Sequence, residues 1–493
     1  MIAKSIFINF IITISLSIQA FMLNQAFGVH LGADQLGLMK LFSQLVAYLS
    51  LAELGLGTAS AFSLYKPLLD KDYYKVSVIM STISVLYRYV SVGIIAIGLL
   101  ILFFLPAFTD DKMQGGMVYF YWLAYVLSIS FNYTFSKYQI LFTANQEFDV
   151  VRLTQGCSKF IMQGLQLFVI VKYQSFLYFT ALLFVDSIIQ YGIFKYRYIR
   201  NYKHIFNVLE RDYTIKKDIL NLLWHKIGTL VVFNTDYLII SYFLGLKMVG
   251  IYASYMMVFQ MVKVLFSIVS NVLSPKIGLL IAKNSREKSY ETWKYLNVIF
   301  LVASIVAVIC VYSLINPFVL LWMGEDFILP NSIVLLLIFN LYFDLTRNII
   351  GMFKFNSGFF DDIHIPLVES TINIVLSVIL VNLIGIAGVI IGTLVSNVIV
   401  IYFWGPILVF KRCFGKPAID YIFYLIPKIT MLAIVVLIYY VYSSMHHIEF
   451  NGWVGWITSA FITATVSLCI TVIVFMIDKD FRVSVFNRFK NIL

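Results

Sequence analysis

The sequence predicts an all-α polytopic membrane protein. It should have about fourteen transmembrane helices, with two six-helix lobes related by a pseudo-two-fold axis along the membrane normal and an added C-terminal helix pair. Three observations carry this. The first is composition: the 493 residues are 61% hydrophobic and 12% charged, where a soluble domain carries about 25% charge. The second is segmentation into apolar runs of about 20 residues or more, the length a helix needs to cross the hydrocarbon layer. The third is a seven-residue turn that occurs twice. Leu31-Gly32-Ala33-Asp34-Gln35-Leu36-Gly37 and Leu244-Gly245-Leu246-Lys247-Met248-Val249-Gly250 share their glycine spacing, and 245 − 32 and 250 − 37 are both 213. A second echo, Phe148-Asp149 with Phe360-Asp361 (360 − 148 = 212), brings Ser158 onto Ser370 and points to duplication of one half of the chain.

In chain order the predicted spans are 5–29, 36–66, 76–106, 117–144, 150–172, 175–198, 219–244, 248–282, 291–323, 329–356, 364–384, 386–410, 422–443 and 455–477. The apolar run after Lys4 continues to Val29 without a clear cleavage site, so it reads as the first span rather than a cleaved leader. Alternate loops collect the bases: Lys66, Lys71 and Lys75; Arg152; Lys195 to Lys217; Lys276 to Lys288; Lys411, Arg412 and Lys416; Lys479 to Lys490. The intervening loops hold little beyond Lys112, Lys172 and Lys247, and carry Asp110-Asp111 and Glu325-Asp326. Positive charge stays on the cytoplasmic side, so both termini are expected there. The formal net charge of +11 is explained by these loops and does not indicate nucleic-acid binding. The expected division is a first lobe at 1–200, a cytoplasmic connecting loop at 201–218, a second lobe at 219–412, and an appended two-helix hairpin with a cytoplasmic tail at 413–493. Six spans per lobe is an even number, so both lobes should have the same orientation.

No phosphate loop, metalloprotease helix, zinc spacing or nucleophile elbow is visible, and the four cysteines form no disulfide or metal pattern. No catalytic residue, metal site or cofactor is expected. The informative residues are charges inside spans, each of which costs a few kcal/mol to insert and should face a bundle interior or a watery cavity. In the fifth span Arg152, Gln155, Lys159, Gln163 and Gln166 recur at steps of three and four, on one helical face. Asn340, Asp344, Arg347, Gly351 and Lys354 do the same in the tenth. Lys263, Ser267, Ser270 and Ser274 form a milder stripe in the eighth; Asp236 and Lys226 lie in the seventh, Glu369 in the eleventh and Glu53 in the second. Arg88, Lys159, Asp186 and Lys263 sit near span centres, where neither interface is within reach. Lys137, Arg152 and Lys226 lie near inner ends, where snorkelling explains them as well as a cavity does. Asp344 and Arg347 are three apart and read equally as a structural ion pair.

At these residues the chain resembles polysaccharide exporters of the Wzx type, in the multidrug/oligosaccharidyl-lipid/polysaccharide superfamily. ELGLGTASAF (53–62) is similar to their second span. DYLIISYFLG, VGIYASY and LSPKIGLLIAK (236–283) are similar to the seventh and eighth, and PLVESTINIVLSVILVNLIGIAGVIIGTLVSN (366–397) to the eleventh and twelfth. The resemblance implies a flippase of the bacterial inner membrane. It would carry a polyprenyl-pyrophosphate-linked oligosaccharide, such as an O-antigen or capsule repeat unit, by alternating access and with ion coupling. It also implies the lipid bilayer, a polysaccharide polymerase and chain-length machinery as surroundings. The bases Arg88, Lys159, Lys263 and Arg347, with Lys137 and Arg152, become candidates to hold the diphosphate. The acids Asp236, Asp344, Glu369, Glu53 and Asp186 become candidates for coupling. A drug or cation antiporter of this superfamily would be expected to carry a carboxylate in its first span, and residues 1–29 hold none. A lipid II flippase would carry bases inside its first two spans, whereas Lys4 and Lys40 fall at or near span ends. An oligosaccharide polymerase or ligase would need a long external loop, and none is present.

Overall fold

The structure is a computed structural model that describes residues 2–50, 56–109, 116–206, 208, 210–211, 235–283, 285–358, 364–399, 404–445 and 452–486. Sixteen helices carry these residues, with no strand among them, and the chain is an all-α multi-pass membrane protein. The helices are α1 Ile2–His30, α2 Ala33–Leu49, α3 Leu56–Leu69, α4 Tyr73–Phe104, α5 Met117–Ala144, α6 Phe148–Tyr173, α7 Phe176–Asn201, α8 Asp236–Lys283, α9 Arg286–Met323, α10 Asn331–Asn356, α11 His364–Ile384, α12 Ile386–Asn397, α13 Gly405–Val409, α14 Ile419–Met445, α15 Gly452–Phe475 and α16 Lys479–Phe486. Nine of the described helices are long and apolar enough to cross a membrane. Helices α5 and α6 are as long, but Arg152, Lys159 and Lys172 dilute the apolar windows of α6. The predicted span 36–66 holds two helices, α2 and α3. Only the last residues of the predicted span 219–244 lie among the described ones.

Local chemistry sets the helix ends. The Asp72 carboxylate accepts from the Lys75 amide at 3.0 Å to start α4, and Ser285 accepts from Lys288 at 3.4 Å to start α9. Gly324 closes α9 at φ 94°, a conformation that costs glycine little.

The chain divides into two compact units, residues 1–250 and 251–493. In the first, α4 packs on α5, α1 on α6, and α5 and α6 on α7. Trp122 is fully buried beside Phe42 and Tyr125, and its indole donates to the Gly98 carbonyl at 2.8 Å. Gly98 has no side chain to meet Val126, which would overlap any Cβ placed there.

The two glycine turns meet inside this first unit. Gly32 and Gly245 adopt the same backbone, φ 85° and ψ 169° against φ 81° and ψ 171°. Gly245 thereby interrupts α8 one residue before Leu246. A Cβ on Gly37 would overlap the Leu246 carbonyl, and one on Gly250 would overlap the Ala33 carbonyl. Adding 213 to Gly37 and Ala33 gives Gly250 and Leu246, so each contact is the image of the other under the sequence repeat. The partner of the second echo, Phe360-Asp361, lies outside the described residues. Ser158 and Ser370 are both buried.

In the second unit α11 and α12 form a tight hairpin, because Gly388 and Gly392 leave room for the Leu380 backbone and for Ser377. Helix α15 lies along α9, and Trp293 of α9 is fully buried among Phe410, Phe414, Tyr421 and Tyr424.

Candidate functional sites in the two units

The polar stripe of α6 opens onto a cavity. About 410 Å³ is enclosed by Thr13 and Leu16 of α1, Asn132 of α5, Arg152, Gln155 and Lys159 of α6, and Asp186 and Gln190 of α7. Gly156 permits this, since a Cβ there would strike Ile12 of α1. The Asp186 carboxylate accepts from the Ser158 hydroxyl and, at 2.9 Å, from the Gln190 amide. The side-chain amide oxygen of Asn132, Oδ1, is buried and takes no hydrogen bond. Neither Arg152 nor Lys159 forms an ion pair with a described carboxylate, so the cavity combines two cationic heads with one hydrogen-bonded acid and several amides. Farther along the stripe the chemistry changes: buried Gln166 donates to the Phe179 carbonyl at 3.4 Å and serves helix packing.

A second basic group lies in the same unit. Lys137 of α5 donates to the Ser84 hydroxyl of α4 at 3.2 Å, and its amine lies over the Tyr138 ring at 5.1 Å. Arg88 of α4 and Lys195 of α7 act on it electrostatically. No described acid pairs with any of the three. Lys195 lies within α7, as the predicted span 175–198 has it.

In the second unit the charges are paired off. Lys263 of α8 forms an ion pair with Asp344 of α10. Arg347 lies 3.5 Å from the other Asp344 oxygen and 3.9 Å from Glu369 of α11. Two bases and two acids therefore neutralise one another. Beside them, Asn340 donates to the Ile390 carbonyl at 3.1 Å, Asn397 donates to Asn340 at 3.4 Å, and Asn373 donates to Thr393 at 2.9 Å. These bonds tie α10 and α11 to α12.

Of the other predicted residues, Asp236 is the first residue of α8 and lies within electrostatic reach of Tyr48 of α2. Glu53 and Lys226 lie outside the described residues. The sequence reading missed one cluster. Lys428 of α14 is 7% exposed and bonds Asp478 at 2.7 Å, with Asp480 at 3.6 Å and the Tyr424 ring centroid at 4.2 Å. Lys294 of α9 reaches the same Asp480 at 3.7 Å. The signal was present, because Lys428 is a charge inside an apolar run.

No family model and no curated protein sequence matches the chain. Solved structures do. "Lipid II flippase MurJ, inward closed conformation" superposes with a TM-score of 0.67 over 95% of this chain and 99% of that one, at 16% identity. An inward-facing multidrug resistance MATE family transporter of the MOP superfamily superposes at 0.55, over 80% and 97%, at 14% identity. A mutant of the Vibrio cholerae MATE transporter VcmN superposes at 0.50, over 84% and 99%, at 15% identity. The chain has the MurJ and MATE fold. Among the described residues, Lys263 and Arg347 of the second unit pair with Asp344 and Glu369, whereas Arg88, Lys137, Arg152 and Lys159 of the first form no ion pair.

Proposed function

We propose that the chain is a flippase of the bacterial cytoplasmic membrane that exports a polyprenyl-pyrophosphate-linked oligosaccharide by alternating access. The observation that carries this reading is the set of bases in the first unit. Arg88 lies in α4, Lys137 in α5, and Arg152 and Lys159 in α6, helices that this reading takes as spanning, and none of the four bases forms an ion pair with a described acid. A base left open inside a span is costly unless it serves a cavity or a pathway. A diphosphate would give each a charge-assisted bond, and the amides around Lys159 suit sugar hydroxyls. In this reading Lys263 and Arg347 act mainly with Asp344 and Glu369, as the coupling group rather than as headgroup ligands. In this reading both termini lie in the cytoplasm, which the loop charges support, and a polymerase with chain-length machinery would receive the product.

Lipid II is the second reading, because the MurJ superposition covers nearly the whole of both chains. The test is reconstitution into vesicles with fluorescent lipid-linked glycans. The exporter reading expects translocation of a short oligosaccharide on polyprenyl pyrophosphate, reduced at least tenfold in Lys159→Gln. Movement of lipid II alone would replace it with the second reading, and movement of neither would remove both.

A further inference from the structure

The bases of the first unit that form no ion pair do not make one group. On α7, Asp186 and Lys195 are nine residues apart, two and a half turns, so they lie on opposite faces. On α5, Asn132 and Lys137 are five apart, about 140° around the axis. Asp186 and Asn132 line the cavity with Arg152 and Lys159. Helices α5 and α7 pack side by side, and Phe135 on Phe194 and Tyr138 on Tyr198 fill their seam. Lys137 and Lys195, with Arg88 of α4, therefore stand on the other side of this helix pair from the cavity.

The second group is held in place. Lys137 donates to Ser84, which is one turn from Arg88 on α4. The Lys137 amine lies over the Tyr138 ring, and the Lys195 amine lies over the Tyr191 ring at 5.2 Å. Tyr87, beside Arg88, stacks on Tyr133 of α5 with ring centroids 6.1 Å apart. Glu147, at the start of α6, is engaged elsewhere, by Arg197 at 3.4 Å and by the Tyr202 hydroxyl at 2.5 Å. Three positive charges thus gather without a described counter-ion, and like charges at short range repel. The arrangement calls for an anion.

Depth and surroundings say where the anion comes from. Read as spanning helices, α5 and α7 are about 42 and 39 Å long. Lys137 is seven residues and Lys195 six residues from the helix end. With each helix centred on a hydrocarbon core of about 30 Å, both lysines lie about 4 Å inside its edge. A lysine there can extend along its helix toward the headgroups. Lys195 does the reverse, since Tyr191 is one turn back toward the middle of α7. The flank beside the group is apolar. Ile188 and Ile199 share the face of Lys195, Val92 and Leu99 share that of Arg88, and all four are exposed. A phosphate that arrives there with hydrocarbon attached meets both bases and apolar surface, and one that arrives in water does not.

We infer that Arg88, Lys137 and Lys195 form a second phosphate site, separate from the cavity, that takes the diphosphate of a lipid from the bilayer flank. The guanidinium can bind two phosphate oxygens at once, and the lysines act as point charges. The inference rests on the exporter reading for its ligand, a polyprenyl pyrophosphate, and divides the bases of that reading into two stations occupied in turn. Binding can be counted without transport. Native mass spectrometry of the purified chain with a short-chain polyprenyl pyrophosphate should show two bound molecules. Lys137→Gln with Lys195→Gln should leave one, as should Arg152→Gln with Lys159→Gln, and Lys137→Arg with Lys195→Arg should keep two. Lys195→Gln alone, at an exposed position, should weaken one of the two dissociation constants at least fivefold. A single molecule on the unaltered chain, or an unchanged count in Lys137→Gln with Lys195→Gln, overturns the second site. In the Arg152→Gln and Lys159→Gln chain, displacement of the probe by an equal concentration of phosphatidylglycerol reassigns the site to a bilayer phospholipid and overturns the station. Inorganic pyrophosphate binding that chain as tightly as the lipid overturns the approach from the bilayer. Two bound molecules without translocation in vesicles would count against the exporter reading alone.

Discussion

Lys263 and Asp344 form an ion pair between α8 and α10, and Arg347 holds the other oxygen of the same carboxylate. The exposures of 31% and 15% put this pair between the surface and the core. Losing one partner leaves a charge in a poor solvent, while losing both does not. Lys263→Ala should therefore cost about 1–2 kcal/mol, less than a fully buried pair because Arg347 still serves Asp344. Lys263→Met with Asp344→Leu should recover most of it. Thermal unfolding in detergent decides. A double variant as weak as the single would mean that the lysine does more than neutralise the acid.

The basic face of α6 should behave differently. Arg152 and Lys159 have no described acid to release, so Arg152→Gln and Lys159→Gln should leave the melting temperature nearly unchanged. Transport should fall at least tenfold, and Lys159→Arg should keep part of it. A large loss of stability in either glutamine variant would show that the base is structural.

At the glycine seam the expected effects are equal by construction. Gly37→Ala and Gly250→Ala each force a methyl onto a carbonyl of the other turn, and each should cost about 1–3 kcal/mol. Gly93→Ala is the control: nothing lies within 4 Å of its Cβ, so it should be neutral or gain a few tenths to about 1 kcal/mol of helix propensity. Markedly unequal losses at 37 and 250 would show that the two contacts are not equivalent.

Among the described residues, Lys428 is the most buried base of an ion pair in the second unit. Lys428→Met strands Asp478, which is 8% exposed, and should cost about 3–5 kcal/mol. Asp478 also accepts from the Phe481 amide at 3.0 Å and so starts α16. Protease sensitivity of the C-terminal segment should rise in parallel with the loss of melting temperature. An unchanged cleavage pattern would argue that α16 is held by Phe481 packing alone.

Orientation follows from loop charge. In a cysteine-free chain, Asp111→Cys and Glu325→Cys should react with an impermeant thiol reagent added to whole cells, and Lys203→Cys and Arg286→Cys should not. The reverse pattern would invert the orientation.

The fold was legible because the bilayer writes it into composition: an apolar run of fixed length has little choice but helix. The same one-dimensional reading located Arg152, Gln155 and Lys159, which share a face whatever lies opposite. It named Lys263 as a candidate for the diphosphate; what the lysine pairs with depends on which helix comes alongside, and α10 brings Asp344. It missed Lys428 because the partners lie 50 residues on, in a stretch read as tail.

The mutual fit of Gly37 and Gly250 also explains why so short a repeat can still be read. Between the paired glycines the residues have diverged freely, Ala33-Asp34-Gln35 against Leu246-Lys247-Met248. Gly37 and Gly250 are not free, because each is the space that the other turn's carbonyl occupies. A bulkier residue at either of these two positions is excluded by the opposite turn, whatever its own surroundings would tolerate. Each turn thus acts as a template against drift in the other, and what survives of the repeat is the part that touches itself.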